Sequence, residues 1–256
     1  VDRHIDEGRG EQTALIYDSP VAGAVQKLSF VELRDKVAHC AGALAARGVA
    51  RGDRVIIYMP MIPEAVIAML AAASIGAVWS SCSPDFGVQG VLDRFSQIEP
   101  KILFAADGYF YNGKKIDVLP RVAEIAQALP TLERVIMIPY TQRAPDIRAI
   151  PRCVDVHELM AGYRPRVIEF ERLPFNHPLY ILYSSGTTGV PKCIVHGAGG
   201  TLLQHLKEHV LHCGLGRDER LFYFTTLGWM MWNWEVTALA AACTVLLYDG
   251  SPFARG

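Results

Sequence analysis

The sequence lacks a dominant charge of either sign. Its 256 residues carry 25 Lys and Arg against 26 Asp and Glu, a formal net charge of −1. There is no basic arm or acidic tail, and the nearest approach to a charge run is the pair Lys114 and Lys115. Binding to a nucleic-acid backbone needs clustered Lys and Arg. The composition therefore predicts no nucleic-acid partner.

Long apolar runs are also missing. The longest extends from Ala65 to Trp79 and is interrupted by Ser74 and Gly76, which is short of the roughly 20 residues that a membrane-spanning helix needs. The first residues contain no apolar segment of the secretory type. We predict no membrane span. Because the sequence does not begin with Met and stops just after an apparent strand, we expect it to be a piece of a longer protein.

Cysteines are few and dispersed. No two are close enough to form a CxxC pair, which excludes a zinc knuckle or a thioredoxin motif. A disulfide framework is not expected in a chain of this length that is 51% hydrophobic. We therefore interpret the cysteines as reduced, mostly buried thiols of a cytoplasmic protein. They lie at positions 40, 82, 153, 193, 213 and 243.

What the sequence does contain is a regular alternation of helix and strand signals. Ser29, followed three residues later by Glu32, predicts a capping box at the start of a helix that Gly48 ends. Strands are predicted at 55–59, 77–80, 101–105, 134–138, 180–183, 221–225 and 244–248. Helices are predicted at 63–74, 87–98, 118–128, 201–213 and 230–242. This rhythm indicates an α/β fold with mainly parallel sheets flanked by helices.

The alternation stops between residues 140 and 178, where prolines are frequent and periodicity is weak. We predict that this segment connects two α/β subdomains, one at 1–139 and one beginning at 179 and continuing to 256.

The segment with the clearest chemistry is Ser184-Ser185-Gly186-Thr187-Thr188-Gly189-Val190-Pro191-Lys192, which follows a predicted strand. Glycines allow backbone N–H groups to converge on an anion, while the hydroxyls add donors and Lys192 adds a positive charge. These are the parts of a polyphosphate cradle. A polar surface turn is the alternative. The spacing is not that of a Walker A loop or of GxGxxG.

This segment resembles the signature loop of the adenylate-forming superfamily, which includes acyl-CoA synthetases, luciferases and peptide-synthetase adenylation domains. The match departs at Cys193, where glycine is commoner. Further segments resemble the acetoacetyl-CoA branch of the acyl-CoA synthetases, whereas about the first 70 residues are closer to the propionyl-CoA branch. The segments are 79–87, 104–114, 228–234 and 248–253. The resemblance implies the N-terminal lobe of an adenylate-forming enzyme, layered αβαβα and incomplete.

The activity that this resemblance implies is an acid–thiol ligase reaction. A short carboxylic acid, taken here as acetoacetate, reacts with ATP to give acyl-AMP, and coenzyme A (CoA) then displaces AMP. Propionate or acetate are alternative acids, and a non-catalytic nucleotide- or CoA-binding module is an alternative class. ATP, Mg²⁺ and CoA are the implied small molecules. The later motifs of the family, including its C-terminal catalytic lysine, have no counterpart here, so we expect this chain alone to be inactive.

The resemblance also implies roles for particular residues. The ATP phosphates are assigned to Ser184, Ser185, Gly186, Thr187, Thr188, Gly189 and Lys192. The acyl pocket is assigned to Trp229, Met230, Met231 and Asn233, for which ordinary core packing is the alternative. Lys114 and Lys115 stand where related enzymes carry arginines that meet the CoA nucleotide, and a solvated pair is the alternative.

One competing motif remains. His205 and His209 belong to the pattern H-x-x-E-H, found in one class of zinc proteases, and they share a face of the predicted helix with His212. A helix that happens to be rich in histidine is the alternative, and we predict no metal there.

Overall fold

The computed structural model describes residues 1–163, 167–184 and 189–250. The strands are β1 Thr13–Ser19, β2 Ala24–Ser29, β3 Arg54–Tyr58, β4 Val78–Cys82, β5 Ile102–Ala106, β6 Gly108–Tyr111, β7 Lys114–Asp117, β8 Arg134–Ile138, β9 Cys153–Asp155, β10 Pro178–Ser184, β11 Lys192–Gly197, β12 Arg220–Leu221 and β13 Thr244–Tyr248. The α-helices are α1 Asp2–His4, α2 Phe30–Ala45, α3 Pro63–Ser74, α4 Val88–Phe95, α5 Leu119–Ala128, α6 Val156–Ala161, α7 Ala198–Leu206 and α8 Met230–Thr237. Two π-helical segments, Ile5–Arg9 and Lys207–His212, and a 3₁₀ segment, Ala238–Ala241, continue α1, α7 and α8.

The largest sheet has the strand order β11-β10-β4-β3-β5-β8-β9. Its strands are parallel except β11, which runs antiparallel to β10. A second sheet, ordered β12-β13-β1-β2, pairs the start of the chain with its far end, and β6 and β7 form a separate hairpin. The prediction of mainly parallel sheets flanked by helices is confirmed.

The central strand β3 shows why its sequence is an uninterrupted apolar run. Val55 and Ile57 belong to the core on one face of the sheet, whereas Ile56 and Tyr58 belong to the core on the other face. All four are fully buried, as expected for a parallel strand that is covered on both sides. The first core also takes in α2 and α3, through Leu33, Val37, Ala65 and Met69. The second takes in α4 and α5, through Val91, Phe95, Val122 and Ile125.

The capping box that begins α2 is present as predicted. The Ser29 hydroxyl accepts the Glu32 amide at 3.2 Å, and the Glu32 carboxylate accepts the Ser29 amide at 2.8 Å. The helix ends at Ala45, three residues before Gly48.

Several elements differ from the sequence-based expectations. The strand predicted at 221–225 is reduced to Arg220–Leu221, because the chain then leaves the sheet to form a loop. The helix predicted at 230–242 changes to 3₁₀ geometry after Thr237. The two hairpins, β1–β2 and β6–β7, were not predicted, and neither was β11.

The segment 140–178 is more ordered than its composition indicates. It contributes β9 to the edge of the large sheet and α6 to the first core. Strands from both sides of this segment share sheets, since β10 pairs with β4 and β13 pairs with β1. The division into two subdomains stays a prediction. Within the described ranges, no helix combines the length and the apolar character that crossing a bilayer requires.

Candidate functional site

A cavity of about 360 Å³ opens where several strands end. Because β3, β4 and β5 are parallel, the segments that follow them emerge at the same edge of the large sheet, which is where ligands bind in open α/β sheets. The segments that follow β12 and β13 complete the cavity. The lining residues are Pro60, Met61, Ser83, Pro84, Asp85, Tyr109, Phe110, Tyr111, Asn112, Phe224, Thr225, Thr226, Tyr248, Asp249 and Gly250.

One wall of the cavity is the β6–β7 hairpin. The buried side chain of Asp107, directly before it, bonds to the chain that follows β8. This carboxylate accepts the Tyr140 amide at 2.6 Å, the Thr141 amide at 2.9 Å and the Thr141 hydroxyl at 2.6 Å. The next residue, Gly108, lies too close to the opposite strand for a side chain, because a Cβ there would lie 2.6 Å from the carbonyl oxygen of Ile116. The hairpin is therefore attached to the chain beyond β8 at its base.

A second wall is the loop after β4. The buried hydroxyl of Tyr58 bonds the carbonyl oxygens of Pro84 and Phe86, at 2.9 and 2.8 Å. Burial raises the pKa of Tyr58 to about 12, so the phenol keeps the proton that these bonds need. The guanidinium of Arg94 lies over the Phe86 ring, 4.5 Å from its centroid. The loop is thus held by Tyr58 of the large sheet and by Arg94 of α4.

The third wall, Phe224 to Thr226, is held at both ends. On one side the Tyr223 amide donates to the carboxyl of Glu235 at 2.9 Å. On the other side the Ser81 hydroxyl donates to the Leu227 carbonyl at 2.6 Å. A segment with partly exposed aromatic side chains is thereby placed between α8 and β4.

The fourth wall is the end of β13. Asp249 is buried, and its carboxylate accepts the hydroxyl of Tyr140. Burial raises the pKa of Asp249 above its ordinary value, while the Tyr140 hydrogen bond works in the opposite direction.

The predicted phosphate loop lies at the same edge of the large sheet. It begins at the end of β10 and ends at the start of β11, where Ser184 and Lys192 are directly opposite each other. Since β10 is parallel to its neighbour β4, Ser184 emerges on the side where the cavity opens. Gly189 has φ of +92°, a conformation that favours glycine. The predicted phosphate ligands Ser185, Gly186, Thr187 and Thr188 lie outside the described residues.

The predicted acyl-pocket residues divide into two groups. Trp229 and Met230 are exposed, at 65% and 45% of their surface, and Met231 is half-buried. Asn233 is fully buried, and neither polar atom of its amide has a hydrogen-bond partner among the described residues. None of these four side chains lines the cavity.

The two lysines have different surroundings. The Lys115 ammonium donates to the carbonyl oxygen of Thr141, on the chain beyond β8, at 2.9 Å. Lys114 is exposed and lies opposite Tyr111, a cavity residue, at the hairpin tip.

The histidines of the H-x-x-E-H pattern are engaged in hydrogen bonds. Nδ1 of His205 and Nε2 of His209 both contact the Thr237 hydroxyl, at 2.9 and 3.0 Å. Glu208 is paired with Lys207 at the surface. In the ranges that the structure covers, no group of three or more His, Cys, Asp or Glu side chains is arranged to hold a metal ion.

Sequence analysis did not assign a role to Tyr140, Asp107, Asp249 or Glu235. The available signal was position, since Asp249 directly follows the strand predicted at 244–248 and Asp107 lies two residues beyond the strand predicted at 101–105. Three of the five cavity segments also belong to the stretches that carried the family resemblance.

The geometry agrees with what comparison with known proteins finds. The model of the family described as AMP-binding enzyme matches residues 2–255, and the chain belongs to this family. It is 57% identical over 233 residues to the acetoacetyl-coenzyme A synthetase of Rhizobium meliloti, covering 89% of this chain and 35% of that protein. It is 44% identical over 236 residues to the malonamoyl-CoA synthetase of Penicillium aethiopicum, covering 88% of this chain and 32% of that protein.

A solved structure shares the fold. The acetoacetyl-CoA synthetase from Streptomyces lividans superposes with a TM-score of 0.89 at 48% identity, over 96% of this chain and 37% of that one. The chain therefore spans about a third of the length of the relatives it matches, and its α/β architecture is that of the N-terminal part of an adenylate-forming enzyme.

Proposed function

We propose that the complete protein is an AMP-forming acid–thiol ligase whose acid is acetoacetate. A carboxylate oxygen of the acid attacks the α-phosphorus of ATP, the bond to the bridging oxygen breaks, and pyrophosphate leaves. The sulfur of CoA then attacks the acyl carbon, and AMP leaves. The hydroxyl- and glycine-rich loop between β10 and β11 carries this proposal, with support from the similarity to acetoacetyl-CoA synthetases.

The loop would bind the β- and γ-phosphates. Ser184 and Lys192 are opposite each other across the β10–β11 pair, so their side chains lie at the two ends of the loop. The proposed ligands are Ser184, Ser185, Gly186, Thr187, Thr188, Gly189 and Lys192. Fixed donors of this kind stabilise the charge that develops on the leaving pyrophosphate.

Mg²⁺ would bind at this site together with the nucleotide. The described residues hold no cluster of three or more acidic, histidine or cysteine ligands, so the ion would be held mainly by phosphate oxygens, to which hydroxyl oxygens of the loop would be added. When bound, it would neutralise phosphate charge.

The nucleotide end of CoA would occupy the 360 Å³ cavity. Aromatic residues on two of its walls, Tyr109, Phe110, Tyr111 and Tyr248, offer surfaces on which a purine can stack, an interaction worth roughly 1–3 kcal/mol per base. Lys114 at the tip of the hairpin would face a phosphate group, and Lys115 would add positive charge nearby.

The acid would bind beside the start of α8. Trp229, Met230 and Met231 present apolar surface there, and the free amide of Asn233 would donate to the 3-oxo group of acetoacetate. Acetate, propionate and malonamate are the competing acids. We further propose that the protein acts in the cytoplasm, with support from its six free thiols.

The test uses the complete protein and measures acid-dependent exchange of pyrophosphate into ATP, followed by thioester formation with CoA. We expect acetoacetate to give the highest kcat/KM among the four acids. Lys192→Ala should lower exchange by about tenfold or more, because one charged donor to a phosphate is lost. Lys207→Ala, an exposed lysine on the π-helical segment, is the control and should leave exchange unchanged.

The outcomes separate the alternatives. Higher kcat/KM with propionate or acetate would overturn the choice of acid only. ATP binding without exchange for any acid would favour the non-catalytic module. Wild-type exchange in the Lys192→Ala variant would remove the assigned role of the loop.

A further inference from the structure

Tyr140 connects two walls of the cavity without lining it. Its backbone amide donates to the buried carboxylate of Asp107 at 2.6 Å, directly before the β6–β7 hairpin. Its hydroxyl donates to Asp249 at the end of β13. One residue thus joins the hairpin wall, which belongs to no other sheet, to the wall formed by the second sheet.

Three further contacts hold the Tyr140 side chain in this orientation. Its ring packs edge-on against Phe110, with centroids 5.7 Å apart, and Phe110 is a cavity residue of the hairpin. Its hydroxyl lies 3.0 Å from the hydroxyl of Tyr17 on β1, and 3.4 Å from that of Ser19. The strand next to β13 therefore also contacts Tyr140.

Among the described residues, no hydrogen bond runs directly from the β6–β7 hairpin to the end of β13. Backbone bonds hold β13 to β1, as in the bond from the Asp249 amide to the Asp18 carbonyl at 3.0 Å, whereas the hairpin is held through Asp107, Thr141 and Lys115. The two sets of bonds meet at Tyr140. The bond from the Tyr140 hydroxyl consequently fixes the distance between the aromatic side chains of the hairpin and the residues Tyr248 and Asp249.

We infer that Tyr140 is a positioning residue that sets the separation between the hairpin and the end of β13, and thereby the affinity of the cavity for the nucleotide end of CoA. This inference rests on the proposed function, because it takes CoA as the ligand of the cavity. Among the described residues, neither Ser184, Gly189 and Lys192 of the phosphate loop nor the first turn of α8 forms a hydrogen bond or an aromatic contact with Tyr140, so we expect acid activation by ATP not to depend on it.

The change that isolates this role is Tyr140→Phe in the complete protein. The ring against Phe110 and the amide bond to Asp107 remain, and only the hydroxyl is lost. We expect KM for CoA to rise by about tenfold, because without the bond to Asp249 the two walls keep the binding-competent separation for only a fraction of the time, and the apparent affinity falls by that fraction. The kcat of the overall reaction and the acid-dependent pyrophosphate exchange should stay within about twofold.

A second variant breaks the same bond from its other end. Asp249→Ala should raise KM for CoA to a similar extent, and the double variant should be no worse than the poorer single variant, because both changes remove one shared interaction. If Tyr140→Phe does not fold, the Asp249→Ala single variant, which leaves Tyr140 intact, still tests the bond through KM for CoA. Tyr163→Phe is the matched control, since Tyr163 stacks against His39 outside the cavity, and its KM should not change.

Calorimetric titration with CoA gives a readout that is independent of turnover. The inference is overturned if Tyr140→Phe binds CoA as wild type does, or if it loses pyrophosphate exchange and CoA affinity equally, which is the pattern of general destabilisation. It is also overturned if the effects of the two changes simply add. Wild-type protein that performs exchange but binds no CoA overturns this inference and leaves the adenylation step intact, whereas wild-type protein without exchange overturns the proposed function itself.

Discussion

Replacing Glu235 with glutamine should make the stability of the folded chain less dependent on pH, so that the variant gains on the wild type as pH rises. Glu235 lies on α8 with no exposed surface. Its Oε1 accepts the Tyr223 amide at 2.9 Å, and its Oε2 has no partner among the described residues. Burial raises the pKa of this carboxyl from 4.5 to about 8, and the hydrogen bond from Tyr223 only partly opposes the shift. The folded chain therefore keeps the group protonated at neutral pH.

The direction in which pH changes the free energy of unfolding follows from proton binding. In the unfolded chain the carboxyl ionises near 4.5, so between pH 4.5 and about 8 the folded state binds more protons than the unfolded state. The free energy of unfolding then falls as pH rises through this window, and the penalty is absent below 4.5. At pH 7 the gap from 4.5 is two and a half pH units. At about 1.4 kcal/mol per unit, this corresponds to a penalty of about 3 kcal/mol.

Glutamine removes the ionisation but keeps an oxygen that accepts the Tyr223 amide. Its amide nitrogen is then buried without a partner, which costs about 1–3 kcal/mol at every pH. The diagnostic quantity is therefore the change with pH in the difference between variant and wild type, and not the difference at one pH. We expect that difference to move in favour of the variant by about 3 kcal/mol between pH 4.5 and pH 7.

The assay is urea unfolding followed by circular dichroism at half-unit steps from pH 4.5 to 8. Glu124→Gln is the control, because Glu124 is exposed on α5, and its difference from wild type should stay nearly constant. A Glu235→Gln difference that is flat across this range would refute the reasoning, since it would mean that the carboxyl is ionised in the folded chain.

Three further predictions concern stability and can be measured by the same method. Ser29→Ala should lower the free energy of unfolding by about 1 kcal/mol, because α2 loses one side of its capping box, whereas Ser29→Asp should keep most of it. Ile57→Val should cost about 1 kcal/mol through the methyl group removed from a fully buried site. Burial lowers the pKa of His205 to about 4, so the wild type should lose up to about 3 kcal/mol as pH falls from 6.5 to 4, and His205→Asn should lose less over the same range.

The elements that sequence patterns predicted well are those whose local signal and final environment agree. The run 55–59 is apolar on both faces, and β3 is buried on both faces. Ser29 and Glu32 form their hydrogen bonds within one turn of helix, so the capping box does not depend on residues far along the chain. The loop from Ser184 to Lys192 is defined by consecutive glycines and hydroxyls too, and its role as a phosphate cradle stays a prediction.

The elements that were missed depend on partners far along the chain. The segment after Leu221 is rich in aromatic residues and was predicted as a strand, but its Tyr223 amide bonds Glu235 and its side chains reach the cavity and the surface. The contact between Tyr140 and Asp249 joins residues 109 positions apart. Tyr140 belongs to no motif. Asp249 lies in the segment 248–253 that carried the family resemblance, but its contact with Tyr140 becomes visible only when the two sheets are brought together.

The position of β13 explains why the cavity depends on the beginning of the chain. A binding edge in a parallel sheet forms where successive strands end on the same side, but β13 belongs to a different sheet from β3, β4 and β5. Its direction is set by parallel pairing with β1, from Leu15 opposite Val245 to Asp18 opposite Tyr248. Because Tyr17 on β1 also meets Tyr140, the strand that orients β13 contacts the residue that ties it to the hairpin. The sequence of β1 carries no catalytic motif, but this strand helps to shape the cavity through β13 and Tyr140.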